Sequence, residues 1–313
     1  MAKRAPGKHY RQGMSLMQVM ERFPDEASAE AWFVASRWPN GVRCPVCASD
    51  DVQERPTRHP QPYRCRACRK DFSVRVGSLM ENSKVGYRKW ALAIYLMTSS
   101  LKGVSSMKLH RDLGVSQKTA WFMLHRIRAA MAEGSLPRFT GIVEADEMFV
   151  GGLEGNKHGH KKLRAGRGAV GKVIVAGVRE RESGKVSAAV VESRDAANII
   201  PFVLERTSSD ATVYTDEAPV YASLPMPHKT VTHGEGTFVV DDVHVNGLES
   251  FWAMFKRAHK GTYHKLSAKH LQRYLDEFAG RHNQREDDTV DQMTAMARGF
   301  DKKRLRYEDL IAA

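Results

Sequence analysis

Apolar residues recur at helical spacing along roughly the first 130 positions and give way to alternating, β-branched runs after residue 140. In SLMQVMERFPDEASAEAWFVASRWPNG, Leu16, Val19, Met20 and Phe23, then Ala31, Trp32, Phe33 and Trp38, predict two short helices whose Met and aromatic stripe reads as core. KVGYRKWALAIYLMTSSLKG predicts an amphipathic helix stopped at Gly103. The next stretch, VSSMKLHRDLGVSQKTAWFMLHRIRAAM, offers Ser105 and Ser116 as N-caps on either side of a Leu113-Gly114-Val115 turn. That is a helix-turn-helix pattern. Its second helix would place Gln117, Lys118 and Thr119 at a groove-reading end, carry His125, Arg126 and Arg128, and turn Trp121, Leu124 and Ile127 inward. A plain helical hairpin carries the same signature.

Pro137 sits in a linker, SLPRF, after which the period changes. TGIVEADEMFVGG, KVIVAGVRER, KVSAAVVES, ATVYTDE and HKTVTH predict strands, with a hairpin turn at 182–185 and a helix near 195–207 after the third run. Three antiparallel strands, a helix and further strands describe an α/β domain resembling ribonuclease H. The late helix in LSAKHLQRYLDEFAGRHNQR would cover the sheet, with Arg273, Arg281 and Arg285 in reach of a phosphate backbone. The expected architecture is a multidomain α+β chain. It comprises an N-terminal helical segment (1–39), a ribbon (40–76), the helix-turn-helix region (84–134), the ribonuclease H-like α/β catalytic domain (140–290) and a C-terminal tail (291–313).

The four cysteines identify the ribbon, because all of them lie in GVRCPVCASDDVQERPTRHPQPYRCRACRKDFSV. Cys44 and Cys47 form one CxxC knuckle and Cys65 and Cys68 another, with seventeen positions, 48 to 64, between them. Two such knuckles at this distance predict a Cys₄ zinc site; a redox pair or four unrelated buried cysteines are the other readings. A closed shell of four thiolates leaves no position for substrate, so the zinc is structural, with Tyr63 and Phe72 packing over a module too small to fold on apolar burial alone.

Charge then narrows the partner. Lys and Arg number 49 against 36 Asp and Glu, a formal net charge of +13, which favours a polyanion. No stretch reaches the roughly 18 apolar residues needed to span a membrane, and MAKRAPGKHYRQGMS lacks the apolar core of a secretory signal. A soluble, cytoplasmic, DNA-associated protein is expected.

Three acids supply candidate chemistry. Asp146 in IVEADEMFVGG and Asp216 in ATVYTDEAPVY end strand-like runs, and Glu249 in HVNGLESFWAMFKR opens a helical stretch that carries Lys256 seven residues on, two turns along the same face. Carboxylates brought together at strand ends can hold two divalent cations about 4 Å apart, one activating an attacking oxygen and one stabilising the leaving oxygen. Alternation puts Glu144 on the same face as Asp146, so Glu144 is a rival for the first position; Asp146 is preferred because it lies at the edge of the apolar run. Softer features are the Gly-rich basic stretch 151–172, a phosphate-contacting loop or a solvated hairpin tip, and His244, a neighbour of the metals or a helix cap. Trp252 and Phe255 read as core, and His158, His160, His259 and His264 form no ligand spacing.

Together, CPVC, CRAC, DEMFVGG, YTDE, HVNGLESFWAMFKRAHKGTYH and YLDEFAGRHNQR resemble the DDE-type insertion-sequence transposases with a zinc-ribbon N-terminus, the ISXO-type group related to the Merlin elements. The likeness spans nearly the whole chain. It implies that Asp146, Asp216 and Glu249 are the DDE triad, served by Mg²⁺ or Mn²⁺, and that Lys256 contacts DNA near the reacting phosphate. It also implies double-stranded DNA partners, the element's terminal repeats and the target, and a homo-oligomer in the synaptic complex. Some members use Asn in the third position, and Asn246 stands three residues before Glu249. A carboxylate neutralises a cation where an amide does not, and only Glu249 has Lys at plus seven, which favours Glu249. A regulator with the same N-terminal modules and no chemistry, or a resolvase or repair nuclease with the same acids, are the competing functions.

Overall fold

The computed structural model describes residues 12–132, 136–152, 158–162, 171–231 and 244–312. They form two compact units, one of residues 1–132 with 284–313 and one of residues 133–283.

The first unit starts with α1 (Leu16–Arg22) and α2 (Glu26–Arg37), each opened by a reciprocal capping box, Ser15 with Gln18 and Asp25 with Ser28. A small antiparallel sheet follows, β1 (Val52–Glu54), β2 (Tyr63–Cys65) and β3 (Asp71–Phe72), in the order β1-β2-β3. Then come α3 (Tyr87–Ser99), α4 (Ser106–Leu113) and α5 (Gln117–Met131). Ser105 and Ser116 accept hydrogen bonds from the Lys108 and Thr119 amides, the two caps expected from sequence, and Gly114 between the helices has φ +57°. Such caps contribute about 1 kcal/mol each.

The second unit is built on a five-stranded sheet: β4 (Ile142–Val150), β5 (Val173–Glu180), β6 (Val186–Val191), β7 (Thr212–Asp216) and β8 (His228–Val231), in the order β6-β5-β4-β7-β8. The first three strands pair antiparallel; β7 and β8 run parallel to β4. Between β6 and β7 the chain crosses in α6 (Ala196–Arg206), whose Ile199, Phe202 and Val203 pack on one sheet face with Val143, Ala145, Val178 and Val213. On the other face lie α7 (Asn246–Ala258), continued by a wider turn over His259–Tyr263, and α8 (Leu271–Asn283). They bury Leu248, Phe251, Trp252, Phe255, Leu275 and Phe278 against Met148, Val150, Val175 and Val186. Period-2 alternation thus sends β4 residues 143 and 145 to α6 and residues 144, 146 and 148 to α7.

The chain then returns to the first unit with α9 (Thr289–Arg298) and α10 (Tyr307–Ile311). The segment 291–313, expected as a tail, is therefore part of the first core. Met293, Met296, Ala297, Phe300, Leu305 and Leu310 are buried there, and Lys303 Nζ donates to the Ala129, Ala130 and Ala132 carbonyls at the end of α5. The apolar positions of this segment are what carry it inward, and the expected boundary at 290 falls inside α9. Among the described residues no helix is long and apolar enough to cross a membrane.

Candidate active site

In the ribbon, the four cysteine sulfurs all lie within 4.8 Å of one another, the only such group of His, Cys, Asp and Glu ligand atoms among the described residues. Cys44 and Cys68 Sγ are 3.6 Å apart and Cys47 and Cys65 Sγ 3.5 Å apart. Tetrahedral zinc with bonds of about 2.3 Å has sulfur edges of roughly 3.8 Å, so the donor set fits that ion. The residue after each knuckle, Ala48 and Arg69, takes a left-handed backbone (φ 62° and 60°) that turns the chain around the sulfurs. Tyr63 and Phe72 stack at 5.5 Å with Trp38 edge-on to both, the packing that sequence placed over this module.

In the capped helix pair, the start of α5 is exposed at Gln117 and Lys118, while Ala120, residues 123–128 and Ala130 are buried. Lys118 Nζ lies 4.3 Å from the Tyr307 ring centroid. Arg126, expected on a DNA-facing surface with Lys118, is instead interior. It is 8% exposed, donates to the Leu305 and Glu81 carbonyls, and stacks on Phe122; burial pulls its pKa down to about 10. The return of the C-terminal segment over α5 covers this residue, and the sequence of α5 alone carries no sign of that.

In the sheet, β4 and β7 pair in parallel with a constant offset of 70, from Ile142↔Thr212 to Glu144↔Tyr214. Continued two residues further, the same register brings Asp146 level with Asp216, on the face that α7 covers; Asp216 ends β7 as expected, whereas Asp146 lies midway along β4, which pairs with β5 as far as Val150. Glu249 stands in the first turn of α7 and is exposed, as is Lys256 two turns later. Burial, then the charges of Glu147, Asp216 and Glu249, push the Asp146 carboxyl up to about 7. The three acids therefore feel one another, although their oxygens do not close to the mutual distance of the cysteine cluster.

Two neighbouring carboxylates behave differently. Glu144, the rival to Asp146, is fully buried and held by Arg179 at 3.1 Å and Arg181 at 3.5 Å, with His244 Nδ1 3.8 Å away. It also accepts the Leu248 amide at 2.9 Å, so a strand carboxylate caps the N-terminus of α7, where the helix dipole favours negative charge. Asn246, the alternative third ligand, is the exposed first residue of this helix, and no side-chain hydrogen bond caps this end from Val245. His244 belongs to the Glu144 cluster, accepting Arg181 Nη2 at its carbonyl at 2.8 Å. Glu147 points to the opposite face, where Arg194 pairs with it and the Tyr221 hydroxyl donates to it at 2.7 Å. Burial and then that carboxylate push the Tyr221 hydroxyl well above its usual range, keeping it protonated.

Asp146, Asp216 and Glu249 have no salt-bridge partner among the described residues. Asp216 accepts the Ala218 amide at 3.0 Å, and Asp146 Oδ2 accepts Trp252 Nε1 at 3.1 Å. Sequence reasoning placed Trp252 in the core, where it is, and missed its bond to Asp146. It also missed Gly177 and Gly247. A Cβ at Gly177, directly across from Asp146, would stand 2.5 Å from the Trp252 ring, and one at Gly247 would stand 2.2 Å from the Arg179 guanidinium. An isolated glycine inside the β-rich run VIVAGVRE was the available signal. Arg281, expected to reach DNA, is spent on Glu277 and Phe278, and Arg285 pairs with Glu286. Most of the stretch 151–172 lies outside the described residues.

Comparison with known proteins agrees with this layout. Residues 138–283 match the family model of the ISXO2-like transposase domain and residues 24–71 that of the transposase zinc-ribbon domain. A Halobacterium salinarum protein, described as an uncharacterized protein in transposable element ISH50, is 30% identical over 278 residues, which cover 84% of this chain and 92% of that protein. Among solved structures, the simian T-cell lymphotropic virus intasome in complex with the PP2A regulatory subunit B56 gamma aligns over 61% of this chain and 65% of that one, at 16% identity and a TM-score of 0.29. With the paired matches over the ribbon and the sheet unit and a relative spanning most of its length, the chain belongs to the ISXO2-like transposase family of insertion-sequence proteins.

Proposed function

We propose that the protein cleaves DNA at the ends of an insertion sequence and joins the freed 3′ end to target DNA at a divalent-cation site held by Asp146, Asp216 and Glu249. The observation that carries this reading is a contrast in charge. Glu144 and Glu147 are neutralised by arginines, whereas the three acids that share the α7 side form no salt bridge among the described residues, and Asp146 is pushed up to about 7. Carboxylates that repel one another in this way suit a bound cation. When bound, Mg²⁺ or Mn²⁺ would supply a lowered pKa for the attacking water or hydroxyl and charge stabilisation for the leaving oxygen. The chain's own residues fix the geometry. The β4–β7 register, continued two residues, would align Asp146 with Asp216, and Glu144 anchors the helix that carries Glu249; Lys256, exposed on the same helix face, would contact a DNA phosphate. We read the sheet unit as ribonuclease H-like, a reading supported by three antiparallel strands followed by a crossing helix and two parallel strands.

The test is cleavage of a supercoiled plasmid bearing the element ends, followed by joining of a pre-cut 3′ end to a second duplex. Divalent-cation-dependent strand transfer is expected. Nicking without joining would indicate a nuclease or resolvase, and binding without either a regulator.

The capped pair α4–α5 is proposed as the helix-turn-helix that engages DNA through the exposed start of α5. Lys118→Ala is expected to weaken DNA binding and lower its salt slope by about 0.9, one phosphate contact. Arg126→Ala is expected to leave the slope unchanged and lower the melting temperature of the first unit, because it strips two carbonyls of their donor and opens a stacked contact. Fluorescence-anisotropy titrations at several salt concentrations, beside thermal melts, separate the two; a Lys118→Ala slope equal to the parent's would remove this face from the interface.

A further inference from the structure

We infer that Trp252 is the positioning residue that orients Asp146 toward the divalent cation: its indole N–H holds Oδ2 and with it the direction of the carboxyl group. The inference rests on the reading of Asp146 as a ligand and adds the group that makes it one. The χ2 torsion of an aspartate is broad and roughly two-fold, so a carboxylate on a strand does not by itself present one oxygen in a fixed direction. A donor that is itself immobile removes that freedom. Trp252 is 3% exposed and is wedged among Leu248, Phe251 and Phe255 of its own helix and Met148 and Val175 of the sheet.

Two further features tie the indole to this task. Its N–H is the polar atom of a buried aromatic and needs an acceptor; the one it meets, at 3.1 Å, is a carboxylate oxygen of the acid cluster. The space it occupies exists only because β5 carries glycine at position 177, the residue paired with Asp146: a Cβ there would lie 2.5 and 2.8 Å from two carbons of the indole's six-membered ring. Glycine inside a strand gives up side-chain packing and backbone entropy, and here the return is the approach of the indole to Asp146. Trp252 also lies one turn after Glu249, so the same contact sets the register of α7 against β4 and ties the first acid to the helix of the third.

Donors of this kind, one layer behind a metal ligand, change metal affinity by about 10- to 100-fold when removed. The experiment titrates zinc-loaded full-length protein with Mn²⁺ by calorimetry, using Asp146→Asn as the blank. Trp252→Phe, which keeps a buried ring and deletes the donor, is expected to weaken Mn²⁺ binding about 10-fold or more with zinc content and melting temperature nearly unchanged, and to regain DNA cleavage at saturating Mn²⁺. Gly177→Ala, which pushes the indole aside and leaves Trp252 itself unchanged, is expected to move Mn²⁺ affinity in the same direction, and it carries the measurement should Trp252→Phe fail to fold. Parent-like Mn²⁺ binding in the folded variant, with binding lost in Asp146→Asn, would overturn the positioning role and leave the acid assignment standing. A parent titration that Asp146→Asn does not alter would overturn both.

Discussion

Asp146→Asn is expected to abolish divalent-cation-dependent cleavage and strand transfer while making the cation-free protein more stable at neutral pH. The first half follows from the charge a cation site needs. Metal stabilisation of the transferring phosphoryl group is worth several kcal/mol, and at about 1.4 kcal/mol per decade its loss lowers the rate on the order of a thousandfold. The second half follows from linkage. In the folded chain the Asp146 carboxyl is raised to about 7 from an ordinary 3.8, so between those values the folded state holds a proton that the unfolded state has released. Stability therefore falls as pH climbs through this window, and the full cost is present above it. At ~1.4 kcal/mol per unit the cost is roughly 4 to 5 kcal/mol as an upper figure, and part of it arises from the neighbouring charges. Asn removes the cost above pH 7 and changes nothing below the ordinary carboxylate range. Thermal melts of parent and variant across pH 4 to 8 without added Mg²⁺, beside plasmid cleavage with it, read both halves. A variant that cleaves like the parent would dismiss Asp146 as a ligand. Glu249→Gln is expected to be equally inactive and Asn246→Ala to retain most activity, since Asn246 is exposed at the helix start; the reverse pattern would make the third ligand Asn246.

What could be read from the chain alone was what local chemistry dictates. The two CxxC knuckles, the serine caps of α4 and α5, the alternation of β4 and the change from helical to strand period all act over a few residues, and the corresponding elements stand where the sequence puts them. What could not be read depends on contacts between distant segments. The sequence left Glu144 and Asp146 as same-face rivals; the arginines that occupy Glu144 come from the end of β5 (Arg179) and just beyond it (Arg181), some 35 residues on, and only the pairing of β4 with β5 brings them across. Arg126 has the same character. On a helix beside Lys118 it reads as a surface charge, yet the chain returns nearly 180 residues later to cover it with Leu305. Lysine and arginine counts report the polyanion-binding tendency of the protein as a whole and say nothing of which cations are already spent on carbonyls and carboxylates. The N-terminus of α7 shows the same limit, because the side chain that accepts its Leu248 amide is a strand glutamate more than a hundred residues away.

Cys65→Ser is expected to release the zinc, unfold residues near 40 to 75 and leave the sheet unit folded. The ribbon has three strands of two or three residues each and a buried cluster built largely from Cys44, Cys65 and Phe72, too little apolar burial to offset the entropy of ordering some thirty-five residues. Metal binding closes that gap, since the apparent free energy of a structural zinc site at pH 7 is on the order of 10–16 kcal/mol and is available only to the folded chain. Serine keeps the size of the side chain and removes the thiolate. Cys65 is also the sulfur approached by Cys47 Sγ and by the Cys68 amide, so its replacement disturbs both knuckles at once. The sheet unit has its own cores on both faces of the five strands and none of their residues lies in the ribbon, so its melting transition is expected to survive. Metal analysis should give one zinc per parent chain and close to none in the variant. Hydrogen exchange should show protection lost around β1 to β3 and kept in β4, β5 and α8. Zinc retained at full stoichiometry by Cys65→Ser would mean that the four sulfurs do not share one ion, whereas collapse of the sheet unit together with the ribbon would mean that the two units fold as one.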